Sequence, residues 1–160
     1  MRVVLAAALI AVTCIGCKSP PRPRAAHYEE SEYAPYRQKG TGAIAGQVFM
    51  RQRGGVVVVG AGSGVHMNPV TSYSTEWFEA TMSGRALEAN DPRVEDCYHQ
   101  TIADGDGRFH FADLAAGDYF IVSAVTWEVP GQWGASTQGG VVGTRVHVQD
   151  GKVSDAVLTR

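Results

Sequence analysis

The stretch Thr101–Trp127, TIADGDGRFHFADLAAGDYFIVSAVTW, constrains the fold more than any other. Apolar residues alternate with polar ones in Arg108–Phe111, so Phe109 and Phe111 share one face and His110 points away. Asp104-Gly105-Asp106-Gly107 before this run and Ala116-Gly117-Asp118 after it are turn signals. Tyr119–Trp127 follows, with Tyr119, Ile121, Val125 and Trp127 on one face and Phe120, Val122 and Ala124 on the other. Two largely apolar faces are the mark of a central strand covered on both sides. A chain with this punctuation folds as strands, and its remaining segments must supply the partners.

Those partners are visible at short range. Ala43–Met50, Gly55–Val59 and Val65–Val70 read as strands, as do Cys97–Ala103, Gly143–Val148 and Val153–Thr159. Between them, Ser74–Asn90 loses the two-residue period. Ser74 reads as a helix cap, Phe78 and Met82 stand four apart, and Pro92 stops the run, which predicts one short helix. Ser136–Gly140, STQGG, reads as a loop.

The run Gly55–Thr71, GVVVVGAGSGVHMNPVT, raises the question of a nucleotide. Four valines lead into Gly60, Gly62 and Gly64, as a buried strand leads into a phosphate loop. The dinucleotide pattern needs its third glycine one residue later, where Val65 stands, and a helix after it. VHMNPVT is strand-like and no lysine follows, so nucleotide binding is not expected. The hydrolase elbow G-x-S-x-G fails around Ser63, because Ala61 holds its first position. The glycines are expected to reverse the chain between two strands. With 14 basic against 16 acidic side chains, nothing provides the basic face that nucleic acid requires.

The N-terminus reads as a targeting segment over residues 1–16. Met1-Arg2 is followed by the apolar run Val3–Gly16, too short for a comfortable bilayer span. Cys14-Ile15-Gly16-Cys17 resembles a bacterial lipobox, with Cys14 where leucine is usual. The resemblance implies that Cys17 is acylated and becomes the first residue, making the membrane a partner through its lipid. Each buried acyl CH₂ contributes about 0.8 kcal/mol. Lys18, by resemblance to enteric lipoproteins, permits delivery to the outer membrane. Cys97 is then the one remaining thiol, without a partner for an intrachain disulfide, and is expected to be a small buried residue. Residues 17–40 contain several prolines, mixed charge and no apolar period. They read as a disordered tether reaching at most roughly 75 Å.

With those pieces in place, Thr101–Trp127 resembles the carboxypeptidase regulatory-like domain, a transthyretin-like module. Asp104, Gly107 and Phe109 match D-x-x-G-x-F, and Leu114, Gly117 and Tyr119 match L-x-x-G-x-Y. Gly42–Val48 is similar to the opening strand of such modules and Val65–Thr71 to the next. The resemblance covers residues 41–160. It implies an all-β, antiparallel Greek-key β-sandwich of about seven strands with one helical insertion. In zinc carboxypeptidases this module accompanies the catalytic domain, and it implies no active site here. No enzyme activity and no cofactor are expected.

The metal patterns are weak. His27 and Glu30 have HxxE spacing on no rigid element, and read as a solvated charge cluster. Asp104 can open a calcium loop, but the twelfth position falls on Ala115 rather than a glutamate. His66, His99, His110 and His147 all fall in strands, with His110 and His147 outward. No metal is expected. The candidate ligand loops contain Trp77, Trp133 and Ser136, because insertions at the ends of a sandwich carry binding function. Trp127 is assigned to the core. The reading is a lipid-anchored cell-envelope protein displaying a non-catalytic module to an envelope protein or glycan. Its alternatives are a carbohydrate-binding module using loop aromatics and a small periplasmic hydrolase.

Overall fold

Eight strands form two sheets facing each other, and the computed structural model describes residues 20–132 and 134–160. The first sheet contains β1 (Gly42–Arg51), β2 (Val57–Val59), β5 (Arg108–Leu114) and β8 (Val153–Leu158). The second has the order β4 (His99–Ile102), β3 (Gly64–Pro69), β6 (Gly117–Gly131), β7 (Gly134–Val148). All pairings are antiparallel except β1 with β8, whose register runs from Ala43↔Val153 to Val48↔Leu158. The fold is an all-β sandwich, as the alternation requires.

The core lies between the sheets. Phe109 and Phe111 enter it from β5 with their rings edge to face at 5.9 Å, while His110 is exposed. Ile44, Val48, Val65, Met67, Tyr119, Ile121 and Val125 join them, each at most 1% exposed. The Asp104 turn is built by its carboxylate, whose Oδ1 accepts the Asp106 and Arg108 backbone N–H at 2.9 and 2.8 Å. That geometry accounts for the Asp-Gly repeat without a cation.

The second face of β6 is apolar because a helix covers it. Helix α2 (Ser72–Met82) lays Phe78 on Phe120 with ring centroids 4.3 Å apart and planes within 12°. Thr71, not Ser74, is the cap. Thr71 Oγ1 accepts the Ser74 N–H at 3.0 Å and Ser74 Oγ accepts the Thr71 N–H at 2.9 Å. This reciprocal pair moves the start upstream of the expected position. The helix ends at Met82, before Gly84 (φ +66°), so the expected span to Asn90 is too long.

Other expectations need correction. Val56, Val57 and Val59 are 59%, 49% and 41% exposed, so the valine run is a short edge strand and not a buried one. Cys97 closes a 3₁₀ turn (Pro92–Cys97) ahead of β4, and is fully buried. Ser136–Gly140 is no loop. It belongs to β7, which pairs with β6 from Gly117↔Val148 to Gly131↔Gly134 in one long ribbon. Cross-strand pairing overrides the loop-like composition there. The glycines after β2 turn the chain as expected. Gly62 has φ +73°, and a Cβ on Gly60 would sit 2.8 Å from Val48 Cγ1.

The segment 20–40 is docked rather than free, which corrects the reading of a tether over those residues. Tyr33, in a one-turn helix α1 (Glu30–Tyr33), is 1% exposed and stacks on Tyr28 at 5.0 Å. Tyr36 meets the Tyr119 ring edge to face at 5.3 Å. The Arg93 guanidinium covers Tyr28 at 4.2 Å. Glu76 accepts the Ala25 and Ala26 N–H, each at 3.0 Å, and Glu32 accepts the Ser72 N–H at 2.7 Å. Burial of Tyr33 and partial burial of Tyr28 and Tyr36 oppose the ordering cost that the proline-rich composition implies. Residues 1–19 lie outside the described residues, and with them the expected leader and Cys17.

Candidate functional site

The ribbon of β6 and β7 outlasts the sheet it faces. Each of its strands runs 15 residues, whereas β1 runs 10. Alternation continues along the ribbon, so Trp127 and Val129 still point to the inner side, as Val125 does. Among the described residues, no strand of the first sheet lines this stretch of the ribbon beyond Arg51. Trp127 therefore packs on the core with one side and leaves the other open. It is half-buried, and its assignment to the core is half correct.

The opening is a groove of about 610 Å³. Trp127 and Val129 line it from β6 and Gln138 from β7, where Gln138 stands directly opposite Trp127. Met50, Arg51, Gln52 and Arg53 come from the end of β1 and its following turn, and Arg160 from the end of the chain. The Arg160 guanidinium rests against bare backbone: Nη2 lies 3.1 Å from where a Cβ on Gly140 would be. Among the described residues, Arg51, Arg53 and Arg160 form no ion pair, and no aspartate or glutamate side chain lines the groove. An indole face, two carboxamides and three guanidinium groups thus surround one opening. Such a set stacks on a flat apolar face and hydrogen-bonds hydroxyls or anions around it.

The sequence-based candidates divide. Ser136 pairs with Val129 and lies on the same ribbon face as Gln138, whose Nε2 donates to Ser136 Oγ at 3.4 Å. It is exposed at the rim of the groove. Trp133 lies outside the described residues. Trp77 is elsewhere: it is half-buried on α2, in a cleft of about 290 Å³ shared with Arg24, Arg85 and Asn90. Helix α2 sits over Gly143, where Met82 Sδ is 2.9 Å from a Cβ position. Ser136 is seven residues further along β7, roughly 23 Å away at about 3.3 Å per residue. Trp77 and Ser136 do not form one site. Sequence reasoning missed Arg51, Arg53 and Arg160, because only the tertiary fold brings them to Trp127.

The metal and hydrolase candidates stay apart. Among the described residues no group of three or more His, Cys, Asp or Glu side chains is placed to hold a metal. Glu30 is engaged by Arg37 at 3.1 Å and by the Tyr28 hydroxyl, while His27 is exposed. His66 Nδ1 contacts the Tyr98 hydroxyl, and burial lowers the pKa of both His66 and His99. On the outer face of the ribbon, His147 Nδ1 lies 3.1 Å from Asp118. Arg145 donates to the same carboxylate at 2.9 Å and, with His147, holds it below the usual carboxylate range. Ser154 Oγ donates to the His147 carbonyl and not to the ring, so Ser154 and His147 do not form a nucleophile–base pair.

No protein-family model and no curated protein sequence matches the chain. Among solved structures, it is similar to a crystal structure from Pseudomonas aeruginosa described as a "putative carbohydrate binding protein". The TM-score is 0.72 at 28% identity, covering 83% of this chain and 97% of that one. A minor pilin from Streptococcus agalactiae has a looser likeness, with TM-score 0.42 at 14% identity over 76% of this chain and 44% of that one. That second overlap is too low to support an inference.

Proposed function

We propose that this chain is a non-catalytic carbohydrate-binding β-sandwich module, held at the cell envelope by a lipid on Cys17. The observation that carries the binding half is the groove at the root of the ribbon, where Trp127 presents one face beside Gln52 and Gln138. Carbohydrate rings offer weakly positive C–H faces to the negative face of an indole, and hydroxyls to carboxamides. The likeness to the Pseudomonas aeruginosa protein supports the same reading. The lipobox-like Cys14–Cys17 supports the anchoring half, and the resemblance to carboxypeptidase regulatory-like modules agrees with a display role.

The test is retention of the purified full chain, in detergent, on a panel of insoluble and soluble polysaccharides. Binding to at least one member that falls tenfold or more in Trp127→Ala is expected, since truncating a hot-spot aromatic costs about 2 kcal/mol or more and about 1.4 kcal/mol is tenfold. A panel with no retained member refutes the reading. Anchoring has its own assay: Cys17→Ser is expected to leave the membrane fraction on washing.

A further inference from the structure

We propose that the Trp127 groove takes an acidic saccharide, one whose sugar carries a carboxylate. The inference rests on the carbohydrate reading above and specifies its ligand. The groove has three arginines from two distant parts of the chain: Arg51 at the end of β1 with Arg53 just after it, and Arg160 at the far end. Their lining contains no aspartate or glutamate, although the protein as a whole carries a net charge of −2. Every ion pair among the described residues belongs to Arg37, Lys39, Arg93, Arg145 or His147, so these three remain unmatched. Concentrated positive charge on an otherwise acidic protein is a local demand for an anion.

The ribbon keeps anions of its own away from this face. Glu128 lies between Trp127 and Val129 and alternation turns it to the opposite side, where its carboxylate accepts the Thr137 hydroxyl at 2.6 Å. Arg160 is seated rather than dangling, because Gly140 leaves the space its guanidinium occupies. A guanidinium fork matches a planar carboxylate with two parallel hydrogen bonds, which a neutral hydroxyl cannot reproduce. Trp127 provides the surface for the ring and Gln138, opposite it, a donor and an acceptor for hydroxyls. Each component of a uronic acid thus has a counterpart in the groove.

The experiment compares matched ligands on the full chain in detergent: oligogalacturonate, its methyl ester, a neutral galactan, and dextran sulfate against dextran. Oligogalacturonate is expected to bind at least tenfold more tightly than its methyl ester, with an affinity that falls as salt rises. Arg160→Gln and Arg51→Gln are each expected to cost about tenfold toward the acid and to narrow the preference for acid over ester. Equal affinity for acid and ester, still lost in Trp127→Ala, overturns the acidic-ligand proposal while the carbohydrate reading stands. Preference for dextran sulfate over every uronate overturns it in favour of sulfate. Absence of binding to any polysaccharide overturns both.

Discussion

If residues 20–40 are part of the fold, removing the side chain that seats them must destabilise the whole domain. Tyr33 is 1% exposed, stacks on Tyr28 at 5.0 Å, and accepts a hydrogen bond at 3.0 Å from Oγ1 of Thr71, the cap of α2. Its satellite core also contains Tyr73, Val94 and Cys97. Truncating a buried aromatic to alanine costs about 3–5 kcal/mol. For a domain of this size each kcal/mol moves Tm by roughly 2–4 °C, so Tyr33→Ala is expected to melt at least about 6 °C below the parent. Tyr33→Phe keeps the ring and loses one hydrogen bond, worth about 1 kcal/mol. The assay is urea unfolding followed by far-UV circular dichroism, with tryptic cleavage at Arg24 as a local readout. The parent is expected to resist that cleavage and Tyr33→Ala to admit it. A Tyr33→Ala protein within about 0.5 kcal/mol of the parent would refute docking, since an undocked strap contributes no such energy.

Two further outcomes are expected. Burial lowers the pKa of His66 and His99, so the unfolded chain binds protons more readily than the folded one below the ordinary value near 6.5. Stability is complete above that value and falls as pH drops toward the folded values. Urea midpoints measured from pH 7.5 to 5 should decline, and a His66→Gln/His99→Gln double variant should flatten the decline. Asp91, held to about 2 by Arg93, titrates too low to contribute in that window. Gly60→Ala drives a Cβ to 2.8 Å from Val48 Cγ1 and should cost about 1–3 kcal/mol by overpacking, read as a lower urea midpoint.

The elements legible in the sequence are those in which local pattern and tertiary partner agree. Phe109, Phe111, Tyr119 and Ile121 alternate as core residues and are core residues, between 0% and 6% exposed. Asp104 sits in a turn motif and forms that turn. The failures occur where a partner far away in sequence decides. Residues 20–40 carry a polar, proline-rich composition, yet Tyr28, Tyr33 and Tyr36 find Arg93, Thr71 and Tyr119 across the fold. Ser136–Gly140 has loop composition, yet Val129–Val125 stand opposite and hold it extended.

The site is a third case, and the reason is geometric. A period of two tells which side of a strand a residue faces, but not whether anything stands opposite. Trp127 continues the inward series of Tyr119, Ile121 and Val125, and by pattern alone is one more core residue. It becomes a binding surface only because β6 and β7 extend past the last residues of β1, a matter of relative strand length. That same overshoot brings the turn after β1 and the end of the chain beside the indole, so Arg51, Arg53 and Arg160 gather where no spacing rule connects them. A ribbon longer than its opposing sheet thus turns core sequence into a groove, and the side chains that end the shorter sheet determine what the groove accepts.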